Sequence, residues 1–373
     1  MNIEKHKVLP VRDIIQLCVE RNVSFFAYRL PKEAAVTVGI QTSDNKYAGF
    51  PGEKLSSGFV LSPFMESKRC SNRFIKADIW LSDKSIENFS MEELRKNMPA
   101  FSNILTFNDS RDIEESEDSY LQTVEKLVTR MQANEFQKVV YARQIIRPNC
   151  NHESLSDIFE ALLGVYPDAF VSLAHLAGEE TWIGASPEIL LSNAPDSGFK
   201  TIALAGTKPD DETVWGCKEI EEQEMVRRYV ENALTEQKIA FCQSDTYTQP
   251  AGNISHLCTS FFSEQALPLS RINDVVSALH PTPAVCGLPK EESLQVILDS
   301  EPFDRRYYAG YLGAVSPEGV HLFVNLRCIR LNTQGATVYV GGGITKDSIP
   351  SDEWKETCLK AQMLLRIIER CTK

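Results

Sequence analysis

The sequence lacks the long apolar segment that a membrane-spanning or exported chain would need. No window approaches the roughly 18 consecutive apolar residues of a membrane-spanning helix. The first residues, MNIEKHKVLPVRDIIQL, do not have the basic-then-apolar order of a signal peptide. We therefore expect a cytoplasmic protein that does not enter a membrane.

The histidine and cysteine patterns that are typical of zinc sites are also missing. The six histidines show no HExxH spacing, and the ten cysteines are scattered without a CxxC pair. Several cysteines lie in apolar runs, where a free thiol behaves as a small hydrophobic group, and this favours a reducing compartment. Any metal should be a hard ion bound by carboxylates, such as Mg²⁺.

Positive charge is scarce as well. Lys and Arg total 39 against 51 Asp and Glu, which gives a net charge of −12. Nucleic acid and anionic membranes are therefore not expected as partners. An anionic small-molecule substrate would need cations concentrated at one place, or a metal ion.

What is present is typical of a large globular enzyme. The chain has 373 residues, of which 43% are hydrophobic and 24% charged. Without repeats, low-complexity tracts or Gly/Ser linkers, one large α+β unit is favoured over separable domains. We expect an acidic surface connection over residues 108–119, a helix over 120–134, and then many strands. A helix is predicted over 215–236, a strand over 320–331 and a closing helix over 351–371.

One predicted strand, EFQKVVYARQII, contains a lysine on an apolar face. Alternate residues of a strand share a face, so Lys138 points the same way as Phe136, Val140 and Ala142. Lysine is almost never fully buried without a partner. On periodicity alone, a lysine whose ammonium reaches the surface is the simpler explanation.

Several other charged residues have two possible explanations. Glu353, Glu356 and Lys360 share one face of the last helix, beside a predicted buried stripe of Trp354, Cys358, Ala361, Leu365 and Ile368. Spacing alone favours a solvated flank for that face, and charged first turns explain Lys218, Glu219 and Glu222 equally well. Glu188 follows a proline between two strands, where it is either exposed at an edge or buried with a raised pKa. Three glycines, 341–343, favour a tight turn or an anion contact.

Ordered blocks across residues 120–370 resemble the chorismate-utilising enzymes, which include anthranilate synthase component I, aminodeoxychorismate synthase, isochorismate synthase and salicylate synthase. The blocks are FQKVVYAR, GASPEILL, IALAGTKP, CKEIEEQEMV, LHPTPAVCGLP, EPFDRRYYAGYLGAV, NLRCIRL and VGGGITKDSIPSDEWKETCLKAQMLL. The resemblance implies an α+β fold: a single large anthranilate synthase component I-like sandwich with two antiparallel-rich sheets and helices packed outside. Residues 1–373 would form one domain, with 119–373 as the catalytic core and 1–118 as a less typical N-terminal portion.

The same resemblance implies roles for individual residues. Glu222 and Glu356 would bind Mg²⁺, with Glu219, Glu301 and Glu353 in or near its shell. Arg327 and Lys360 would bind carboxylates of chorismate, together with backbone N–H groups around Gly342 and Gly343. His280 and a turn formed by Ala205, Gly206 and Thr207 would line the pocket for the ring.

Lys138 indicates which reaction is expected, because the ammonia-using members carry glutamine at this position and the water-adding members carry lysine. Lys138 would be the base that activates water for attack at C2, and Glu188 would be the acid that protonates the leaving C4 hydroxyl. The resemblance thus implies an isochorismate synthase for menaquinone or siderophore biosynthesis, with salicylate synthase as the alternative. An amine-transferring enzyme is disfavoured, and neither a glutaminase subunit nor an oligomer is expected. Gln223, Asn325 and Lys208 depart from residues common in the family, but none of them is a proposed acid, base or metal ligand.

Overall fold

The computed structural model describes residues 11–49, 56–82, 91–101, 112–148, 150–208, 214–252, 254–332 and 335–372. The strands are β1 (Phe25–Arg29), β2 (Thr37–Ile40), β3 (Gly58–Ser62), β4 (Arg73–Lys76), β5 (Ile79–Leu81), β6 (Lys138–Arg147), β7 (Phe170–His175), β8 (Thr181–Ser186), β9 (Ile189–Ala194), β10 (Gly198–Lys208), β11 (Cys242–Gln243), β12 (Tyr247–Ala251), β13 (Ile254–Ser263), β14 (Gly287–Leu288), β15 (Tyr311–Ser316), β16 (Gly319–Val324), β17 (Cys328–Asn332) and β18 (Gly335–Thr345). The helices are α1 (Val11–Glu20), α2 (Met91–Asn97), α3 (Glu117–Gln132), α4 (Leu155–Val165), α5 (Cys217–Glu236), α6 (Leu269–Leu279), α7 (Lys290–Ser300) and α8 (Pro350–Cys371). No helix in these ranges is both long and apolar enough to cross a lipid bilayer.

The strands form two antiparallel sheets. Sheet A has the order β14-β6-β18-β17-β8-β7-β1-β2-β5, and sheet B has the order β11-β13-β10-β9-β16-β15-β3-β4, with β12 also paired to β13. The N-terminal part of the chain supplies β1, β2 and β5 to sheet A and β3 and β4 to sheet B, so it shares both sheets with the rest. The expected sandwich with two antiparallel-rich sheets is confirmed.

Aromatic side chains fill the space between the two sheets. Phe170 of sheet A stacks on Phe323 of sheet B with ring centroids 4.1 Å apart, and Phe26 stacks on Phe59 at 5.1 Å. A second core covers the other face of sheet A, where α1, α4 and α8 pack, while α5 packs on β10 and β13 of sheet B. Because sheet A is covered on both faces, its strands contain little polar alternation.

Two of the crossovers, the places where the chain passes from one sheet to the other, lie next to each other. One is Pro187–Glu188, between β8 of sheet A and β9 of sheet B; the other runs from Asn325 to Arg327, between β16 of sheet B and β17 of sheet A. The prediction of one strand over 320–331 is therefore wrong. Arg327 has a φ of +48°, a conformation that ends a strand and redirects the chain.

Helix α8 buries a different face from the one predicted. Besides Ala361 and Ile368, it buries Glu353, Thr357, Leu364 and Ile367, whereas Cys358 is exposed. The solvated flank favoured for Glu353 is thus wrong. The two polar residues are buried because they find partners under the helix: Lys218 pairs with Glu353, and Nε of Arg143 donates to Oγ1 of Thr357 at 2.9 Å.

The acidic stretch before α3 is more than a surface connection. Residues 108–111 lie outside the described ranges, but the side chain of Asp112 is only 8% exposed and forms an ion pair with Arg330 of β17. Glu115 is buried and accepts a hydrogen bond from the hydroxyl of Tyr141 at 3.0 Å. The surface prediction is wrong for these two residues because sheet A supplies partners for their carboxylates.

The stacked rings between the sheets should be a main source of stability. We expect Phe170→Ala to lower the free energy of unfolding by about 3–5 kcal/mol, since it leaves a cavity between Phe59 and Phe323. Phe262→Ala, at a phenylalanine that is 41% exposed, should cost less than about 1 kcal/mol. Urea unfolding of both variants checks this, and equal losses would contradict a core centred on Phe170.

Candidate active site

A cavity opens where the two crossovers meet. The space between its lining residues is about 750 Å³, its open mouth included. The predicted site residues that line it are Glu188, Ala205, Gly206, Thr207, Glu222, Arg327, Gly343 and Lys360. Within the described ranges, the predicted residues that do not line it are Lys138, Glu219, His280, Glu301, Gly342, Glu353 and Glu356.

Glu188 is a buried acid with few compensating partners. It is 2% exposed, so the exposed-edge alternative is wrong. Burial raises its pKa to about 8, although the Thr282 hydroxyl, which donates at 3.4 Å, and the charge of Lys138 act in the opposite direction. The carboxyl group is therefore mostly protonated at neutral pH and can donate a proton into the cavity.

Lys138 is fully buried, so the surface explanation for this lysine is wrong. Its Nζ lies 2.9 Å from Oε1 of Glu222, a residue that itself lines the cavity. Its side chain also passes close to β18, where a Cβ built on Gly343 would lie 3.1 Å from Cε of Lys138. The lysine itself does not line the cavity. A positive charge is tolerated in this buried position because the carboxylate of Glu222 neutralises it.

Two further Glu–Lys pairs lie beside the first. Lys218 of α5 pairs with Glu353 of α8, and Lys360 pairs with Glu356 at 2.7 Å within α8. Together the three pairs neutralise three acidic side chains, supplied by two helices, close to β18. Lys360 also donates to the carbonyl of Gly341 at 3.0 Å, which fixes its ammonium at the cavity wall.

The three glycines lie inside β18, so the predicted tight turn is wrong. A Cβ on Gly343 would overlap Oε1 of Glu222, and one on Gly342 would lie 3.3 Å from Oε2 of Glu353 and 4.0 Å from Oε1 of Glu356. The absence of side chains here is what lets carboxylates approach the strand.

The donor chemistry around these glycines fits a hard cation. In the described ranges, no three acidic, histidine or cysteine side chains are close enough together to hold a metal by themselves. Mg²⁺, however, usually takes one or two carboxylates and completes its shell with water and substrate oxygens. Oε2 of Glu353 is also buried without a hydrogen-bond partner. Glu222 and Glu356 could hold such an ion if they leave their lysines.

Glu219 and Glu301, the other two residues predicted near the metal, differ in their surroundings. Glu219 lies one turn before Glu222 on the same side of α5, with its carboxylate near Gly216. Glu301 is held by partners of its own and does not line the cavity. Its carboxylate accepts from Nε of Arg305 at 2.8 Å and from the backbone N–H of Ala142 at 2.8 Å, so its oxygens are already used.

Arg327 is held in place by His256, a residue that the sequence analysis missed. Nη1 of Arg327 donates to the carbonyl of Ala251 at 2.8 Å, and Nη2 lies 2.9 Å from Nε2 of His256. Nδ1 of His256 lies 2.9 Å from the carbonyl of Gly206. Since a carbonyl only accepts, Nδ1 carries the proton and Nε2 accepts from the arginine. Burial, Arg327 and Lys360 lower the pKa of His256 to about 3, so the ring stays neutral.

His256, rather than His280, is the histidine of the cavity. His280 follows α6, its carbonyl accepts from Nζ of Lys290 at 2.6 Å, and its ring packs edge-on against Tyr311. The family resemblance implies a place for His280 in the pocket for the ring, but it is not among the residues that line the cavity. The strand of His256, β13, mixes polar and apolar residues, so periodicity gives no signal for His256.

The predicted turn at Ala205, Gly206 and Thr207 lies within β10. The pairing of β10 with β13 is irregular between Ala205 and Lys208, and Gly206 has a φ of +72°. This bulge, rather than a turn between elements, directs the Gly206 carbonyl to His256.

Residues 55–369 match the family model described as "Chorismate binding enzyme". The vibriobactin-specific isochorismate synthase of Vibrio cholerae is 27% identical over 268 residues, 67% of this chain and 66% of that protein. Isochorismate synthase EntC of Escherichia coli is 30% identical over 267 residues, 66% of each chain. The chain thus spans about two thirds of the length of these relatives. The solved structure of MenF, the menaquinone-specific isochorismate synthase of Escherichia coli, superposes with a TM-score of 0.76 at 20% identity over 95% of this chain and 91% of that one, which shows the fold.

The raised pKa of Glu188 has a consequence for stability. Its folded value of about 8 lies above the ordinary 4.5, so between these values the folded protein binds more protons than the unfolded chain. Stability should therefore fall as pH rises through this window. Glu188→Gln imitates the neutral acid and should be more stable than the wild type at pH 7, by on the order of 3 kcal/mol, with the difference vanishing near pH 4.5.

Urea unfolding at several pH values measures this difference. Glu318→Gln, at an exposed glutamate, is the matched control and should show no such trend. A Glu188→Gln variant that is less stable than the wild type at pH 7 would show that the carboxylate is ionised and stabilising there.

Proposed function

The chain belongs to the chorismate-binding enzyme family, and from that membership we propose that it is an isochorismate synthase. The reaction would convert chorismate to isochorismate by adding water at C2 and removing the C4 hydroxyl. The protonated Glu188 carboxyl, facing a cavity with a buried lysine close by, carries this proposal. An acid and a potential base are what water addition and hydroxide loss require.

Glu188 would act as the general acid. Burial keeps its proton at neutral pH, and its place at the Pro187–Glu188 crossover faces it into the cavity. The Thr282 hydroxyl contacts one carboxyl oxygen and restrains the orientation of the group. A departing hydroxyl needs such a proton, since hydroxide itself is a poor leaving group.

Lys138 would act as the general base toward water. An amine accepts a proton only when neutral, whereas the lysine is paired with Glu222 in this arrangement. To react, Lys138 would therefore have to leave Glu222 and extend into the cavity. The position also argues against amine transfer, because the ammonia-using members resemble one another in carrying glutamine there.

Arg327 and Lys360 would bind the carboxylates of chorismate. Both line the cavity, and both are oriented by other groups: Arg327 by His256 and the Ala251 carbonyl, Lys360 by the Gly341 carbonyl. They provide the local positive charge that a dianion needs in a chain whose net charge is −12. Backbone N–H groups around Gly342 and Gly343 would add neutral donors.

Glu222 and Glu356 would hold Mg²⁺, with Glu219 and Glu353 beside them. When bound, the ion would neutralise the ring carboxylate of the substrate and fix its orientation. The protein's part is to present oxygen ligands over a strand without side chains, which Gly342 and Gly343 allow.

Salicylate synthase is the second candidate, because the resemblance gives it the same lysine, acid and metal ligands. It would also eliminate pyruvate from bound isochorismate. The names of the similar proteins favour isochorismate synthase and include both menaquinone-specific and vibriobactin-specific members. We expect a monomer that works in the cytoplasm without a glutaminase subunit.

Product analysis tests the proposed reaction. The purified protein, given chorismate and Mg²⁺, should form isochorismate without free salicylate and without any need for ammonia or glutamine. Chromatography of the products and salicylate fluorescence are the measurements. Salicylate as the main product, with no added lyase, would favour the second candidate instead.

Lys138→Ala should reduce kcat by at least about 100-fold, the range of general-base contributions. Chorismate binding, measured by calorimetry with Mg²⁺, should persist because Lys138 does not line the cavity. Lys355→Ala removes a lysine that is 72% exposed and should leave kcat unchanged. Turnover near the wild-type rate in Lys138→Ala would disprove the role of base.

A further inference from the structure

We propose that Lys218 is a resident counter-cation of the metal site. It holds Glu353 while the metal is absent and gives this carboxylate up when a divalent cation binds. The inference rests on the proposed function, because it assumes that Glu222 and Glu356 bind Mg²⁺. It assigns a role to a lysine that neither lines the cavity nor takes part in the proposed chemistry.

The position of Lys218 is unfavourable for a cation without a partner. It lies in the first turn of α5, where the helix dipole favours negative charge. Its side chain is only 28% exposed, and it reaches across to Glu353 of α8, whose side chain is 1% exposed. A buried carboxylate without a partner is strongly destabilising, so the pair explains why a lysine is suited to this position.

Lys218 interacts with more than one carboxylate. Burial disfavours its charged form, but Glu353, Glu356 and Glu222 outweigh burial and hold its pKa above the ordinary value. Glu222 and Glu356 are the proposed metal ligands, and Glu353 is the carboxylate beside them. Lys218 is thus a permanent positive charge among the groups that would surround a divalent cation.

Glu353 has one oxygen that is free to change partner. One of its oxygens pairs with Lys218, while Oε2 is buried without a hydrogen-bond partner and lies toward Gly342. Glu356 lies beside the same glycine. A divalent cation at Glu356 would compete with Lys218 for Glu353, since both satisfy the same negative charge.

Lys138 and Lys360 are less suited than Lys218 to the role of counter-cation. Lys138 is the proposed base, and Lys360 lines the cavity as a proposed substrate ligand. Lys218 has no such duty, so its pair with Glu353 can serve the metal-free protein alone. Without it, Glu219, Glu222, Glu353 and Glu356 would repel one another whenever the metal is absent.

Lys218→Met tests the exchange through metal binding rather than turnover. In calorimetric titrations without chorismate, Mg²⁺ should bind the variant about tenfold more tightly than the wild type, since the competing cation is gone. The melting temperature of the metal-free variant should be several degrees lower, and saturating Mg²⁺ should remove most of that difference. Lys355→Met, which removes an exposed lysine paired with Asp352 on α8, should change neither quantity.

A double mutant separates exchange from simple repulsion between Lys218 and the metal. In a Glu353→Gln background no carboxylate is exchanged, so Lys218→Met should change Mg²⁺ affinity by less than about twofold. An equal gain in both backgrounds would show repulsion through space and overturn the proposal. An unchanged or weaker affinity in Lys218→Met alone would also overturn it.

The wild type separates this inference from the proposed function. If it forms isochorismate and binds Mg²⁺ but the double mutant shows no coupling, only the exchange is wrong. If the coupling appears and chorismate is not converted, only the proposed reaction is wrong. A wild type that binds no divalent cation would overturn the exchange outright, whatever its activity.

Discussion

Neutralising buried charge is the constraint on which this site depends. Removing a carboxylate or an ammonium from water costs several kcal/mol per ion even after the protein relaxes, so each needs a partner. Lys138 and Glu222, Lys218 and Glu353, and Asp112 and Arg330 meet this need between elements that are distant in sequence. The pairs require β6, α5 and α8 to keep their relative positions, and they tie the segment around Asp112 to β17. If one of these helices or strands shifted, buried charges would lose their partners. The ion pairs therefore help to determine how the helices and strands pack.

Glu188 and Glu222 are both buried carboxyl groups, but their pKa values shift in opposite directions because their partners differ. Glu188 has only a long contact with Thr282, so burial raises its pKa to about 8. For Glu222 burial acts in the same direction, but Lys138, Lys218 and Lys360 outweigh it and hold the pKa below its ordinary value. One cavity therefore contains a carboxylic acid and a carboxylate. The first can donate a proton and the second can bind a cation, and the difference lies in their neighbours rather than in their depth.

Sequence patterns predicted the strands well, because β-branched and aromatic runs identify residues that pack between covered sheets. The crossover before Arg327 could not be predicted, since it is only three residues long, contains no glycine or proline, and a positive φ leaves no mark at a non-glycine residue. The buried face of α8 was misplaced because Glu353 and Thr357 count as polar in any periodicity, while their partners come from α5 and β6. His256 was missed for a similar reason: its importance lies in its contacts with Arg327 and Gly206.

The three Glu–Lys pairs also bear on how ligands could enter. In each pair the negative charge of the glutamate is balanced by the positive charge of the lysine. A dianionic substrate alone would add two negative charges beside carboxylates, and a divalent cation alone would add two positive charges beside lysines. If both entered together, their charges would cancel. Attraction between opposite charges is also stronger in a cavity from which water is excluded. If Lys138 is the base that we propose, its pair with Glu222 has to open before it can react, because the ammonium that pairs with a carboxylate carries a proton where a base needs a free electron pair.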